Sequence, residues 1–299
     1  MKTPRIALGT IAGHTLFDNQ VSGYLELAQM ADMAGVDQIV FTDHVIMSEN
    51  TDKYPFGEFP MGLDYPWYEP LTLLSSIAAV TDRIRLATGI LISPLRPAAL
   101  LAKTTATLDA ISNGRLDLGI GVGWQKEEYD AQNMDFMQRM QSLDEQVAIL
   151  QALWQQAPAT VHNNSASIER LYSIPLATQI GGIPLWYGMA ANAENAKRIA
   201  QNGTGWIPIR TDADFIRRGW QQLSRAFEQA GRDPADLQIR AHAAMVFDQD
   251  GRADLDHALA YASEQLEAGA TCIEFELTPF CRHRDEIPAF LQKIVHLRH

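Results

Sequence analysis

An acid and a histidine, Asp43 and His44, follow directly after the apolar segment Gln38–Thr42. Histidine changes charge close to neutral pH, so His44 could act as a general acid or base, and a neighbouring carboxylate could tune it. Adjacent residues of an extended segment point to opposite sides, however. Asp43 therefore need not contact His44 and could instead bind a backbone amide or a helix end. We take His44 as the candidate catalytic residue.

Glycines interrupt the next two apolar segments. Gly89 lies inside Arg85–Ile92, where a glycine often marks a bulge or a close approach of the backbone to a ligand. The second segment, Leu116–Val122, ends in the run Gly119-x-Gly121-x-Gly123-Trp124. This spacing is a weak dinucleotide fingerprint, because it differs from GxGxxG and no helix begins directly after it. We predict strand ends at which the backbone approaches a ligand.

A third group of candidates lies between an apolar segment and a helical pattern. Backbone amides at the start of a helix attract phosphate through their unpaired N–H groups and the helix dipole. We predict that this turn binds the phosphate of an anionic ligand through Gly188, Met189 and Ala190. Trp206 lies in the following apolar segment and would flank the same pocket, although packing in the core explains it equally well.

Apolar segments alternate with helical patterns along the chain. The predicted strands are Arg5–Ile11, Gln38–Thr42, Arg85–Ile92, Leu116–Val122, Pro184–Gly188, Gly205–Ile209, Ile239–Phe247 and Cys272–Leu277. The predicted helices are Gly23–Ala34, Pro70–Thr81, Ala98–Ile111, Arg139–Trp154, Ala193–Gln201, Asp212–Ala230, Asp254–Ala268 and Arg284–Leu297. Eight of each predict an α/β fold, a (β/α)8 TIM barrel, formed as a single domain over residues 1–299. Ligands bind such barrels at the carboxyl ends of the strands.

Two segments are longer than plain connections. Val45–Glu69 follows the second strand and carries Tyr54, Phe56, Phe59, Tyr65, Trp67 and Tyr68. Aromatic residues argue against disorder, so we predict a wall of the substrate pocket, with packing on the barrel rim as the alternative. The candidate substrate-binding residues are Trp67, Tyr68 and His14, which follows the first strand. Ala157–Ile183 is an insertion before the fifth strand.

Charge and composition narrow the partners. The 299 residues carry a net charge of −12, so nucleic acid and anionic membrane surfaces are poor partners. Two cysteines, and histidines without a paired spacing, predict neither a disulfide framework nor a metal site. We expect no signal peptide before the strand at Arg5, and no apolar segment is long enough to span a membrane. These features favour a reduced, cytoplasmic setting.

The segments that carry these candidates resemble the luciferase-like superfamily of flavin- and deazaflavin-dependent oxidoreductases. The similar phrases are DQIVFTDHV, TDRIRLATGIL and ISNGRLDLGIGVGW. The resemblance is dense from Gly35 to Asp144 and continues more thinly to about Pro208. Within the superfamily, the chain is most similar to the F420-dependent oxidoreductase subgroup.

The resemblance implies a cofactor, FMN or coenzyme F420, and a role for several residues. His44 would lie beside the reactive ring as a hydrogen-bond donor or general acid. A non-proline cis peptide would join Gly89 to Ile90, with Ile90 and Leu91 against the ring. Relatives of this kind are commonly homodimers, and a separate flavin or F420 reductase would supply the reduced cofactor.

Two departures from the family pattern leave questions open. Trp124 stands where F420-dependent sugar-phosphate dehydrogenases have a catalytic glutamate, and tryptophan cannot transfer a proton. Glu127 and Glu128 follow closely, but a surface helix start explains them equally well. Most relatives also have two glycines where this chain has Gly188-Met189. The proton donor is therefore open.

Two other classes compete with this interpretation. A sugar-phosphate isomerase or aldolase barrel would need a catalytic lysine or a base at a strand end, and no lysine lies in a predicted strand. A non-catalytic flavin-binding relative is the second alternative. Within the favoured class, reduced FMN would support monooxygenation and F420 would support hydride transfer on a small, partly apolar substrate.

Overall fold

The computed structural model describes residues 3–55 and 57–298. Its strands are β1 Arg5–Gly9, β2 Gln38–Phe41, β3 Arg85–Thr88, β4 Leu91–Ile92, β5 Leu116–Gly121, β6 Ala159–His162, β7 Ser167–Leu171, β8 Leu185–Gly188, β9 Gly205–Ile207, β10 Gln238–His242 and β11 Cys272–Glu276. Its α-helices are α1 Gly23–Ala34, α2 Pro70–Ala78, α3 Ala98–Ile111, α4 Lys126–Asp130, α5 Arg139–Gln155, α6 Ala193–Asn202, α7 Ala213–Gln229, α8 Leu255–Glu267, α9 Leu277–Phe280 and α10 Ile287–Val295.

The parallel strands close into a barrel. Their order is β3-β2-β1-β11-β10-β9-β8-β5, and β3 also pairs with β5, which joins the two ends of the sheet. The closing register sets Leu86 opposite Leu116 and Ala87 opposite Asp117. The short β4 continues the line of β3 and pairs with the end of β5. The predicted (β/α)8 TIM barrel is therefore confirmed.

Residues of each strand alternate between the barrel interior and the surrounding helices. On β1, Ile6 and Leu8 belong to the large core between strands and helices, whereas Ala7 packs with Val40, Ala87 and Cys272 in a separate small cluster. Successive strand residues point to opposite faces, so the interior receives every second side chain. Small and polar residues at those positions leave space inside the barrel at the carboxyl ends of the strands.

Most predicted strands exceed the observed ones by one or two residues, and two differ more. Arg85–Ile92 divides into β3 and β4 on either side of Gly89 and Ile90, whose peptide is cis. Ile239–Phe247 leaves the sheet after His242, and Phe247 forms only an isolated bridge to Ala253. The apolar sequence of that segment resembles a strand although Val246 and Phe247 are half exposed.

The insertion before the fifth barrel strand has a structure of its own. β6 and β7 pair as an antiparallel hairpin beside α5, outside the barrel sheet. The hairpin lies away from the carboxyl ends of the strands that line the cavity described below. Among the residues described, no helix has the length and hydropathy needed to cross a membrane.

Candidate active site

A cavity of about 630 Å³ opens at the carboxyl ends of the barrel strands. This volume lies in the range of small-molecule and cofactor sites, about 300–1,000 Å³. Eight of the predicted site residues line it: His44, Trp67, Gly89, Ile90, Gly123, Trp124, Gly188 and Met189. The other six, His14, Tyr68, Leu91, Gly121, Ala190 and Trp206, are not part of its lining.

His44 is fixed by the carboxylate of Glu128, which lies in the helix after β5. Its Nδ1 lies 3.1 Å from Oε2 of Glu128, and the side chains are 9% and 1% exposed. The other oxygen of Glu128, Oε1, accepts hydrogen bonds from the backbone N–H of Val45 at 2.9 Å and of Ile46 at 3.4 Å. An N–H on Nδ1 pointing to a carboxylate leaves Nε2 as the ring nitrogen available to a ligand.

The explanation of Glu128 as part of a surface helix start is therefore wrong. Glu128 lies in the short helix α4, but the helix turns this residue inward while its neighbour Glu127 stays at the surface and accepts from Asn50. Gln125 adds further bonds to the loop after β2, since its Oε1 accepts from the Ser48 N–H at 3.0 Å. Both residues anchor the loop of residues 45–69, the aromatic loop, to the segment after β5.

Aromatic rings surround His44 on the cavity side. The Trp67 ring centroid lies 4.7 Å from that of His44, and Trp124 and Phe59 lie at 5.9 and 6.1 Å. The Nε1–H of Trp67 is buried and has no hydrogen-bond partner among the residues described. An unpaired donor in a cavity wall can bind an acceptor on a ligand. Phe56, which the sequence places in the same loop, lies outside the described residues.

Ile90 projects into the cavity from the break between β3 and β4. The Gly89–Ile90 peptide is cis, which confirms the expectation from the resemblance. Gly188 makes room for Ile90, since an added Cβ there would lie 2.5 Å from Cγ2 of Ile90. Gly121 flanks Ile90 from β5 in the same way and so acts behind the lining. Leu91 is buried in the core, because the next residue of an extended segment faces the opposite side.

The region expected to bind phosphate is only partly at the cavity. Gly188 and Met189 line it, and α6 begins four residues later with Asn192 as its cap. The Asn192 side chain already accepts the N–H of Asn195. The prediction that Trp206 flanks the pocket is wrong: Trp206 faces outward, packs near Phe215 and donates its indole N–H to the Met189 carbonyl at 2.7 Å.

His14 and Tyr68 lie behind the cavity wall. His14 is buried, and its Nδ1 lies 3.3 Å from the hydroxyl oxygen of Tyr24. Its ring packs edge-on against Tyr65 and Tyr68. Burial lowers the pKa of His14, because the charged form loses its hydration. The structure does not place His14 at the mouth, since the chain after β1 turns it under the aromatic loop.

Asp43 behaves as the alternation of the strand predicts. Its carboxylate accepts the Ile92 N–H at 2.8 Å and forms two hydrogen bonds with Arg96, at 2.7 and 3.0 Å. Arg96 also binds Glu69, whose side chain accepts the Thr72 N–H at the start of α2. Asp43 thus holds the chain after the Ile90 bulge in place and does not contact His44.

The cavity also has a polar side that the motif search missed. His242 ends β10 and Glu276 ends β11, and both line the cavity. Behind them, Arg240 and Glu274 are buried, with Nε and Oε2 2.9 Å apart. The signal was present as alternation: polar residues occupy every second position of Cys272-Ile-Glu274-Phe-Glu276. The prediction of an apolar strand over this segment did not take this alternation into account.

Chemically, the cavity combines apolar and aromatic walls with two groups that could transfer protons, His44 and Glu276. His242, Glu274 and Glu276 have donor atoms within 4.8 Å of one another, the spacing of a metal site. The guanidinium of Arg240 already neutralises Glu274 there and would repel a cation. We therefore assign no metal to these residues.

Known proteins resemble this chain in sequence and in fold. Rv0940c of Mycobacterium tuberculosis, described as an uncharacterized protein, is 30% identical over 223 residues, which are 72% of this chain and 75% of the relative. An F420-dependent secondary alcohol dehydrogenase in complex with an F420-acetone adduct superimposes with a TM-score of 0.80 at 13% identity, covering 99% of both chains.

A second solved structure, the oxygenating constituent of 3,6-diketocamphane monooxygenase of Pseudomonas putida in complex with FMN, has a TM-score of 0.73 at 15% identity. It covers 98% of this chain and 96% of its own. At these identities the structural likeness shows the fold alone. The family model described as luciferase-like monooxygenase matches residues 4–282, nearly the whole sequence. The chain therefore belongs to the luciferase-like monooxygenase family.

Proposed function

We propose that this protein is a flavin- or deazaflavin-dependent oxidoreductase whose cavity binds FMN or coenzyme F420 together with a small organic substrate. The observation that carries the proposal is that His44, held by Glu128, and the Ile90 bulge line the same cavity. Family membership supports the class of reaction, and the FMN- and F420-bound relatives of the same fold support the choice of cofactors.

The residues present suit a planar ring system. Ile90, Ile92 and Ile207 give apolar walls, and the buried N–H of Trp67 offers a donor without a partner in the described chain. When bound, the reduced cofactor would supply the electrons of the reaction, because no side chain can do so. Gly188 and Met189 would hold its phosphate near the start of α6.

His44 and Glu128 have distinct roles in this proposal. Glu128 orients the imidazole and keeps the proton on Nδ1, so Nε2 accepts a proton from the ligand or, when protonated, donates one. Aromatic rings of this loop contact the imidazole and would limit the access of water to it. Trp67, Phe59 and Trp124 therefore shape the substrate side, which favours a small and partly apolar substrate.

Two reactions fit this arrangement. With F420, a hydride would pass to or from the substrate, and with reduced FMN, the substrate would be oxygenated. Both cofactors share the ring, ribityl chain and phosphate, so the same walls serve either. The reduced cofactor would come from a separate flavin or F420 reductase, and we propose a homodimer as the working assembly, which light scattering would test.

The competing classes make different demands on the site. None of the lysines in the described part of the chain lines the cavity, which disfavours a Schiff-base aldolase. Membership of the luciferase-like monooxygenase family disfavours a sugar-phosphate isomerase, because the family model describes a different class of enzyme. A flavin-binding relative without turnover would bind cofactor and show no reaction with any donor or acceptor.

Titration of the purified apo protein with FMN and with F420, each oxidised and reduced, tests the proposal. Absorbance and fluorescence changes would report binding. Preference for F420 would establish hydride transfer, and preference for reduced FMN would establish oxygenation, to be followed by oxygen consumption. Binding of neither cofactor would refute the proposed function and leave only the fold.

A further inference from the structure

The polar side of the cavity has no task in the proposed function so far. Glu276 and His242 line it at the ends of neighbouring strands, β11 and β10. Arg240 and Glu274 lie behind them and are almost completely buried. Glu274 is paired with Arg240, and Glu276 has a carboxyl oxygen within 4.8 Å of Glu274 but no guanidinium of its own among the residues described.

The groups that face Glu276 compensate its charge poorly. On its own strand it meets Glu274, and on β10 it meets Arg240, which is paired with Glu274, and His242. From the β1 side it receives one backbone hydrogen bond, from the Ile11 N–H at 3.3 Å. In the aromatic loop, Tyr65 lies close enough for a negative Glu276 to raise the pKa of the phenol.

These surroundings favour the neutral form of the carboxyl group. Burial, followed by the negative charge of Glu274, raises the pKa of Glu276 to about 8. Among the residues described, Glu276 forms no ion pair of its own. The position of Glu276 beside Glu274, without an ion pair of its own, thus favours a carboxylic acid with an O–H at the cavity wall.

We propose that Glu276 is the proton donor of the cavity and delivers its proton to an oxygen or nitrogen atom of the bound substrate. The O–H bond of Glu276 breaks as the new O–H or N–H bond forms on the substrate, and the electron pair stays on the carboxylate. The positive charge of Arg240, which is paired with Glu274, acts on the new carboxylate from a longer distance. This inference rests on the proposed function, because a reduced flavin or deazaflavin must make that substrate atom basic.

The position of Glu276 also resolves the difficulty raised by Trp124. In the closed strand order, β11 lies on the opposite side of the barrel from β5, after which Trp124 follows. A ligand between them would have the aromatic ring on one side and the acid on the other. His242, whose side chain is 35% exposed, lies next to Glu276 and offers the path by which solvent returns the proton.

Infrared spectroscopy of the apo protein with isotope-labelled glutamate tests the protonation directly. We expect a carbonyl band of a protonated acid at neutral pH that disappears with a midpoint near pH 8. The band should be absent in Glu276→Gln and present in the control Glu228→Gln, which removes an exposed carboxylate from α7. A band that persists in Glu276→Gln, or none in the wild type, would overturn the inference.

Cofactor titrations of the same variants separate this inference from the proposed function. Glu276→Gln should bind FMN or F420 within about threefold of the wild type, while turnover falls by about 10²-fold or more. Cofactor binding together with an ionised Glu276 would overturn the inference alone. Binding of neither cofactor by the wild type would overturn the proposed function and this role with it.

Discussion

At the scale of single residues, the environment of His44 decides what the site can do. The sequence alone does not show whether a histidine at this position is exposed or is held by a buried carboxylate, and the two cases differ in their chemistry. Here Glu128 fixes both the ring and the two backbone amides that follow it. The imidazole therefore has one orientation before any ligand arrives, which lowers the cost of aligning it for proton transfer.

Replacing His44 by alanine tests its role in turnover. We expect His44→Ala to keep cofactor affinity within about threefold, because the Ile90 bulge and the turn at Gly188 and Met189 stay in place. Turnover should fall by about 10²–10⁴-fold. Steady-state kinetics and a cofactor titration measure the two effects separately. His162→Ala, on the exposed hairpin, is the control. Unchanged turnover in His44→Ala would remove His44 from the mechanism.

Glu128→Gln should change the tautomer of His44 without removing the ring. The carbonyl oxygen of the new amide can still accept from Val45, but its NH₂ group now faces Nδ1 and donates to it. The imidazole proton then moves to Nε2. Nitrogen-15 NMR of labelled histidine reports this exchange in the apo protein. Glu127→Gln, one residue away at the surface, should leave the His44 tautomer unchanged, and an unchanged tautomer in Glu128→Gln would contradict the prediction.

Sequence reasoning located at the cavity those residues whose position follows from their place along the chain. His44, Gly89 and Trp124 follow or interrupt strands, so barrel geometry alone brings them to one end. Glu128 could not be found in this way, because its burial depends on how α4 turns after β5. The prediction that Trp206 flanks the pocket was wrong because strand alternation directs this side chain outward. A shift of one residue along a strand decides which face a side chain occupies.

At the scale of elements, the cavity depends on how three strands share space around Ile90. The third barrel strand is interrupted between β3 and β4, so Ile90 enters the cavity instead of the core. Gly188 on β8 gives way to it. The sequence predicted a bulge at Gly89 and the resemblance named both Ile90 and Leu91, but only the structure shows that Ile90 lines the cavity while Leu91 lies in the core.

Gly188→Ala should therefore destabilise the protein through Ile90. The added methyl group would lie 2.5 Å from Cγ2 of Ile90, and such overpacking costs about 1–3 kcal/mol. In an Ile90→Ala background that cost should fall, because the conflicting methyl group is gone. Urea denaturation of the four proteins of this double-mutant cycle measures the coupling. An equal cost in both backgrounds would show that Ile90 does not cause the destabilisation.

At the scale of the whole molecule, the barrel interior contains charge that the chain must neutralise or leave protonated. The net charge of −12 makes another buried carboxylate unfavourable, and among the residues described Arg240 is paired with Glu274 but not with Glu276. Composition indicates an acidic protein but not where the carboxyl groups lie. The parallel pairing of β10 with β11 brings the two acids and one guanidinium to the same region of the barrel.

This cluster predicts how stability depends on pH. The pKa of Glu276 rises from 4.5 to about 8 on folding, so between these values the folded state holds a proton that the unfolded state has lost. The free energy of unfolding should then fall as pH increases through that window, with a slope of at most about 1.4 kcal/mol per pH unit from this group. Below pH 4.5 the contribution is fully present, and above about pH 8 it is lost.

Glu276→Gln isolates this contribution, because glutamine keeps the shape of the side chain and does not titrate. We expect the wild type to lose stability relative to Glu276→Gln as pH rises from 4.5 to 8, and Glu228→Gln to follow the wild type. Urea denaturation at both ends of the window measures the difference. Parallel curves for the wild type and Glu276→Gln would mean that Glu276 is ionised in the folded protein. Its proton could then not serve the substrate, so the stability curve tests the same acid without any cofactor present.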